Sequence, residues 1–232
     1  MTGWQSVWSR KATSHETEDF SLRALMELDG YDISCSAVSV DDFIVFADAL
    51  IEKLELTAGD AMLEVGCGAG ALCKAVHDRG IRVAGIDYTP RLVEICQKAI
   101  PEGDFHASEG ARLDLPKKDY DAVISHSVFH YFPSEDYAVE TFRRMVKHVR
   151  PGGIVALTDM HDANRREEHE KRRKEMIGEK KYNELYKELS HTYYDPDVFA
   201  REARDLCSDY WLEDQFLKSE SGKFKFNFFA RK

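Results

Sequence analysis

The stretch "MLEVGCGAGA", residues 62–71, decides the fold. An apolar run, "AMLEV" at 61–65, gives way to three alternating glycines, Gly66, Gly68 and Gly70. A short apolar run bounded by glycines reads as a buried strand entering a tight turn, and a helix is expected from about Ala71. Such a turn lets a nucleotide come close to the backbone.

Outward from the loop, strands and helices alternate. Upstream, "FSLRALMELDG" reads as a short helix stopped by Gly30. "DDFIVFADALIEKLEL" reads as a longer one, with Phe43, Phe46, Ala47, Leu50 and Leu54 on its apolar face. Downstream, "RVAGID", "GDFHAS", "YDAVISHS" and "PGGIVALTDM" read as strands. Between them, "TPRLVEICQKAI" is a helix with Pro90 in its first turn and Thr89 as the expected cap, and "SEDYAVETFRRMVKHV" is a helix capped by Ser134. "DPDVFAREARDLC" is a helix behind Asp195. "YWLEDQFLK" and "GKFKFNFFA" alternate as strands, with "SESG" as their hairpin turn. Strand–helix repetition predicts an α/β architecture, a parallel sheet with helices on both faces.

Composition narrows the class. At 232 residues, 43% of them hydrophobic, the chain suits a single domain, 1–232, with a substantial core. No apolar run is long enough to span a membrane, so no membrane partner is expected. The first twenty residues lack a continuous apolar stretch, so no secretory signal is expected. Five cysteines (Cys35, Cys67, Cys73, Cys96, Cys207) without a C-x-x-C pair suit buried thiols in a reducing cytoplasm. A net charge of -10 is a poor match for nucleic acid.

"GCGAGA" fits the G-x-G-x-x-G/A loop of dinucleotide oxidoreductases. It also fits the G-x-G-x-G loop of the class I S-adenosylmethionine-dependent methyltransferases. A pyrophosphate is an anion, and Glu64, two residues before Gly66, opposes it. A sulfonium and an ammonium are cations, and the same carboxylate then helps. Asp87 ends the second strand, where a carboxylate can accept both ribose hydroxyls.

With these residues in view, the chain resembles the class I methyltransferase family, small-molecule type. "LEVGCGAG" is similar to its first motif and "GIDYTPRLVE" to its ribose-binding segment. "FHASEGARLDLP" is similar to the segment whose acid holds the adenine amine; the acid here is Glu109, where Asp is more usual, and Gly110 takes a place often filled by Ala. "YDAVISHSVFHYF" resembles the fourth strand with its loop, and "MVKHVRPGGIVAL" the helix–turn–strand after it. The resemblance covers about residues 40 to 160. It implies a Rossmann-like, seven-stranded mixed sheet of order 3-2-1-4-5-7-6, last strand antiparallel. It implies S-adenosylmethionine as cofactor, held by Glu64, Gly66, Cys67, Gly68, Gly70, Asp87, Tyr88, Leu92, Ser108, Glu109, Gly110, His126 and Ser127.

The expected chemistry is in-line displacement at the sulfonium carbon, with an O or N atom of a small molecule as acceptor. Candidate bases lie beyond the strand ends: His126, His130 and His161. Phe129, His130, Tyr131, His161, Trp4 and Trp8 are the candidate acceptor contacts. Residues 1–39 are expected to form a helical cap, with Trp4 and Trp8 on one face. Residues 160–194 are expected to form an insertion, or lid, after strand five. Between 165 and 181 it carries eight basic against five acidic residues, and Glu167–Lys171, Glu168–Arg172 and Glu170–Lys174 have pairing distance on a helix. His161 and Asp162 are too few ligands for a metal, so none is expected. The alternatives are a methyltransferase acting on RNA or protein, a non-catalytic nucleotide-binding protein, and an NAD(P) oxidoreductase. The acceptor and the oligomeric state are not read from the sequence.

Overall fold

The computed structural model describes residues 3–13, 18–31, 37–186 and 189–232. Cys35 lies outside them, as do parts of the expected cap.

A seven-stranded sheet has the order β3-β2-β1-β4-β5-β7-β6, the order expected. Third in that order is β1 (Ala61–Val65), buried along its whole length. It pairs in parallel with β2 (Arg82–Asp87) and β4 (Tyr120–His126). β3 (Asp104–Ala107) extends one edge, and β5 (Val149–His161) the other, both in parallel. β7 (Lys225–Arg231) runs antiparallel to β5 and to β6 (Asp209–Asp214). Continuous apolar runs such as "AMLEV" suit strands covered on both faces.

Helices supply the two covers. On one face pack α2 (Leu22–Leu28), α3 (Val40–Lys53), α4 (Ala71–His77) and α5 (Pro90–Ala99), around Leu50, Leu72 and Ile95. On the other pack α6 (Glu135–His148) and α9 (Pro196–Leu206), around Phe142 and Phe199. Ser134 and Asp195 cap α6 and α9, as expected. At α5 the cap differs. Thr89 holds the cap position, but its hydroxyl makes no cap bond; Asp87 Oδ1 accepts from the Thr89 N–H at 2.8 Å.

Three further helices lie outside this core: α1 (Gly3–Thr13), α7 (Arg166–Ile177) and α8 (Glu179–Tyr186). The ion pairs of α7 among the described residues are Arg166–Glu170 and Arg172–Glu220, both at 2.9 Å, Arg165–Glu168 at 3.4 Å and Arg172–Glu175 at 3.7 Å, rather than the three that spacing predicted. The hairpin also differs. β6 ends at Asp214 and β7 begins at Lys225, so ten residues replace a tight "SESG" turn. Gln215 leaves the strand because its side chain donates inward to Asp159 Oδ1 at 2.7 Å, and Leu217 is buried behind it.

Candidate functional site

Parallel strands end together, and the carboxyl ends of β1, β2 and β4 open on a cavity of about 560 Å³. The glycine loop lines one side of it. Gly68 has φ +53°, and its N–H donates to Asp87 Oδ2 at 3.2 Å. A Cβ at 68 would lie 2.2 Å from Asp29 Oδ1, so only glycine fits. Gly70 is outside the cavity wall. A Cβ there would meet Cys96 Sγ at 2.4 Å, so this glycine serves the packing of α4 on α5.

Four carboxylates line the cavity: Asp29, Glu64, Asp87 and Glu109. Asp87 keeps free lone pairs after its two backbone bonds, enough to accept from hydroxyls. Glu64 is buried and accepts from the Cys73 thiol at 3.1 Å. Burial pushes its carboxyl up to about 8, and the nearby Asp29 and Asp87 add to the shift. Burial likewise pushes Asp29 up to about 7, against the pull of two backbone N–H donors. Asp87 is also raised by burial. Glu109 pairs with Arg112 at 3.6 Å. Among the described residues, no Lys or Arg lines this cavity.

The opposite wall is aromatic. Trp4 and Trp8 of α1 lie on one face, as expected, and both meet Tyr131, at 4.8 and 5.5 Å between ring centroids. Trp4 Nε1 donates to the Ser190 carbonyl at 2.9 Å, which ties α1 to the segment after α8.

His126 closes the wall at the end of β4. Its Nδ1 is 2.8 Å from Thr158 Oγ1. The Thr158 hydroxyl reaches the Ser125 carbonyl at 3.5 Å, so it accepts from Nδ1–H and leaves Nε2 as a bare acceptor. Nε2 is buried without a partner. Burial lowers the ring to about 4, so it is neutral at physiological pH. Ser127 comes next in the chain with φ +58°, and its hydroxyl donates to Asp159 Oδ2 at 2.8 Å.

Of the residues singled out from sequence, Glu64, Gly66, Cys67, Gly68, Asp87, Tyr88, Leu92, Ser108, Glu109, Gly110, His126, Ser127, Tyr131, Trp4 and Trp8 come together around this one cavity. Phe129, His130 and His161 do not line it. Phe129 is core, packed on Phe132, Tyr194 and Phe199. His130 and His161 stack on each other at 4.3 Å, with His130 in contact with Tyr131. His169 and His191 join them, at 4.7 and 5.2 Å from His161. Burial lowers all four imidazoles, so the cluster is neutral. Among the described residues no group of His, Cys, Asp or Glu is arranged to hold a metal ion. No helix among them is long and apolar enough to cross a membrane.

Sequence reading missed Asp29 and Tyr31. Asp29, at the end of α2, accepts from the N–H groups of Ala69 and Ala71 at 2.6 and 3.0 Å. Tyr31 stacks parallel to His126 at 6.2 Å. The only local signal was the Asp beside Gly30.

Comparison with known proteins agrees with this geometry. The family described as "Methyltransferase domain" matches residues 63–157, which run from β1 into β5. This stretch is similar to S-adenosylmethionine-dependent methyltransferase domains. It is 30% identical over 130 residues to the erythromycin 3''-O-methyltransferase of Saccharopolyspora erythraea, covering 52% of this chain and 41% of that protein. The curated relatives it matches are spanned over only 34% to 53% of their length. The fold is similar to that of the N-methyltransferase NodS from Bradyrhizobium japonicum, with TM-score 0.59 and 17% identity, over 84% of this chain and 98% of that one. It is also similar to the magnesium protoporphyrin IX methyltransferase from Synechocystis with bound SAM, with TM-score 0.56 and 12% identity, over 98% of this chain and 89% of that one.

The cofactor of this methyltransferase family is S-adenosylmethionine, and the donor set fits it. The molecule is cationic and carries no phosphate. A cavity with four carboxylates and, among the described residues, no Lys or Arg suits that charge and repels a dinucleotide pyrophosphate.

Proposed function

We propose that the chain transfers a methyl group from S-adenosylmethionine to an oxygen or nitrogen atom of a small molecule. One observation carries the reading: a single cavity is lined both by the glycine loop at Gly68 and by the aromatic wall at Trp8 and Tyr131. It has one end for the cofactor and one for the acceptor.

When bound, S-adenosylmethionine supplies an electrophilic methyl on a good leaving group. The protein's task is then to position the acceptor and exclude water. Asp87 would hold the ribose hydroxyls and Glu109 the adenine amine, with Tyr88 and Leu92 lining the same end of the cavity. Glu64 offers its charge to the ammonium. Ser127 and His126 flank the reacting end. His126 is the candidate contact for the acceptor's proton. His130 and His161 act behind it, by holding Tyr131 in place.

The described parts of the cap (within 1–39) and of the insertion (within 160–194) together cover the acceptor end. The bond between Trp4 and Ser190 supports that reading, since it joins the two segments. Free, buried Cys67, Cys73 and Cys96 support a reducing, cytoplasmic setting. By name, the erythromycin and NodS relatives act on an oxygen and a nitrogen.

The test is to incubate the chain with methyl-labelled S-adenosylmethionine and a cell extract. Label is expected in the small-molecule fraction. Label confined to RNA or protein overturns the reading.

A further inference from the structure

The geometry points to an amine as the methyl acceptor, held against the faces of Trp8 and Tyr131 and leaving with a positive charge. This inference rests on the methyltransferase reading of the cavity and names its substrate class.

Three independent observations converge on it. The first is charge. An anionic acceptor, such as a carboxylate or phosphate, would enter a cavity whose cofactor end is lined by carboxylates and whose described lining holds no Lys or Arg to meet it. Removing an unpaired anion from water is costly. A neutral amine that leaves as a cation meets the opposite balance.

The second is the wall. Trp4, Trp8 and Tyr131 are half-buried around the cavity rather than sunk in the core. An aromatic face attracts a cation within about 6 Å of its centroid, and Trp does so best. Trp8 already holds one: Lys11 Nζ lies 5.4 Å from its centroid.

The third is the His126 ring at the cavity wall, neutral and with its Nδ1–H given to Thr158 Oγ1. It can only accept a hydrogen bond. A neutral ring with no free N–H offers nothing to a developing oxyanion, whereas an amine acceptor develops no negative charge. A weakly basic imidazole is a poor proton acceptor, so the amine enters as its neutral free base, its proton left on water, and methylation then needs no base in the site. The nitrogen lone pair forms the C–N bond while the C–S bond breaks. Sulfur keeps that electron pair and becomes a neutral thioether. The nitrogen becomes an ammonium, whose proton passes to water after release. Positive charge therefore moves from sulfur towards the aromatic wall during the step, and the wall stabilises the transition state more than the neutral amine.

The experiment compares isosteric probes in the presence of S-adenosylhomocysteine, monitored by tryptophan fluorescence. Choline carries a quaternary ammonium; 3,3-dimethylbutan-1-ol has the same shape without charge; 3,3-dimethylbutanoate is anionic. Choline is expected to bind about tenfold tighter than the alcohol and more tightly still than the acid. Tyr131→Phe should keep the preference, since the ring remains. Tyr131→Leu and Trp8→Leu should lose it. Equal binding of choline and the alcohol, tighter binding of either other probe, or no binding of choline overturns the amine assignment. If S-adenosylhomocysteine itself does not bind, the cofactor reading falls instead.

Discussion

The Ser127 hydroxyl donates to Asp159 Oδ2 at 2.8 Å, and both residues have left-handed backbone, with φ +58° and +66°. Ser127 follows β4 and lines the cavity, and Asp159 lies in the adjacent strand β5. Strain of this kind persists only where neighbours hold it in place. Here the β5–β7 register shifts between Leu157 and Met160, which turns Asp159 inward. Lys225 then pairs with it at 2.7 Å. Burial pushes the Asp159 carboxyl up, but Lys225 more than reverses this and holds it at about 2.

Removing Lys225 leaves a buried, unpaired carboxylate. Lys225→Met should therefore cost about 3–5 kcal/mol in urea unfolding. A loss under about 1 kcal/mol would mean that the pair is not what holds the bulge.

The range of each interaction decides how much of the fold and site was legible in the sequence. The glycine loop, the strands and Asp87 were legible because a run of neighbours defines them. Asp29 was not, because it meets the loop 40 residues further on, through the packing of α2 against α4. Asp159 and Lys225 were missed for the same reason, 66 residues apart. His130 and His161 read as cavity residues from their place after strand ends. On the tight turn Phe129–Tyr131, adjacent side chains diverge, so Tyr131 takes the cavity and His130 takes the far side.

The neutral histidine cluster makes stability sensitive to acid. A lowered imidazole in the folded state means that the unfolded chain binds protons first as pH falls below about 6.5, so stability drops from there. For His169 the drop continues to about 3. His169 stacks on Phe224 at 5.1 Å, so His169→Phe keeps the packing. Between pH 6 and 4, urea unfolding should shift in the variant's favour by about 1.4 kcal/mol per unit. Parallel pH profiles for the two proteins would contradict this.

Cofactor binding should release protons. Asp29 and Glu64 hold theirs up to about 7 and about 8 in the free protein, and a cationic ligand prefers them ionised. Affinity for S-adenosylmethionine should therefore rise with pH between 6 and 8, by up to about tenfold per unit for each proton released. Glu64→Gln should flatten the rise. An affinity independent of pH in the parent protein would contradict the account.

Turnover should depend on His126 more than on the clustered histidines. His126→Ala should lose about 100-fold in kcat, the scale of a misplaced acceptor, with cofactor affinity kept. His130→Ala and His161→Ala should mainly lower Tm. A larger kcat loss at either of them than at His126 would place the chemistry elsewhere.

Cofactor binding by Asp87 and the Gly66–Gly70 loop is tested most directly by isothermal titration, with S-adenosylmethionine and NAD(P) against the parent chain and against Asp87→Ala. The parent should bind S-adenosylmethionine in preference. The variant should lose about 1.5–3 kcal/mol for each ribose hydroxyl bond removed, which is at least tenfold in affinity. Preference for NAD(P), or unchanged affinity in Asp87→Ala, would contradict it.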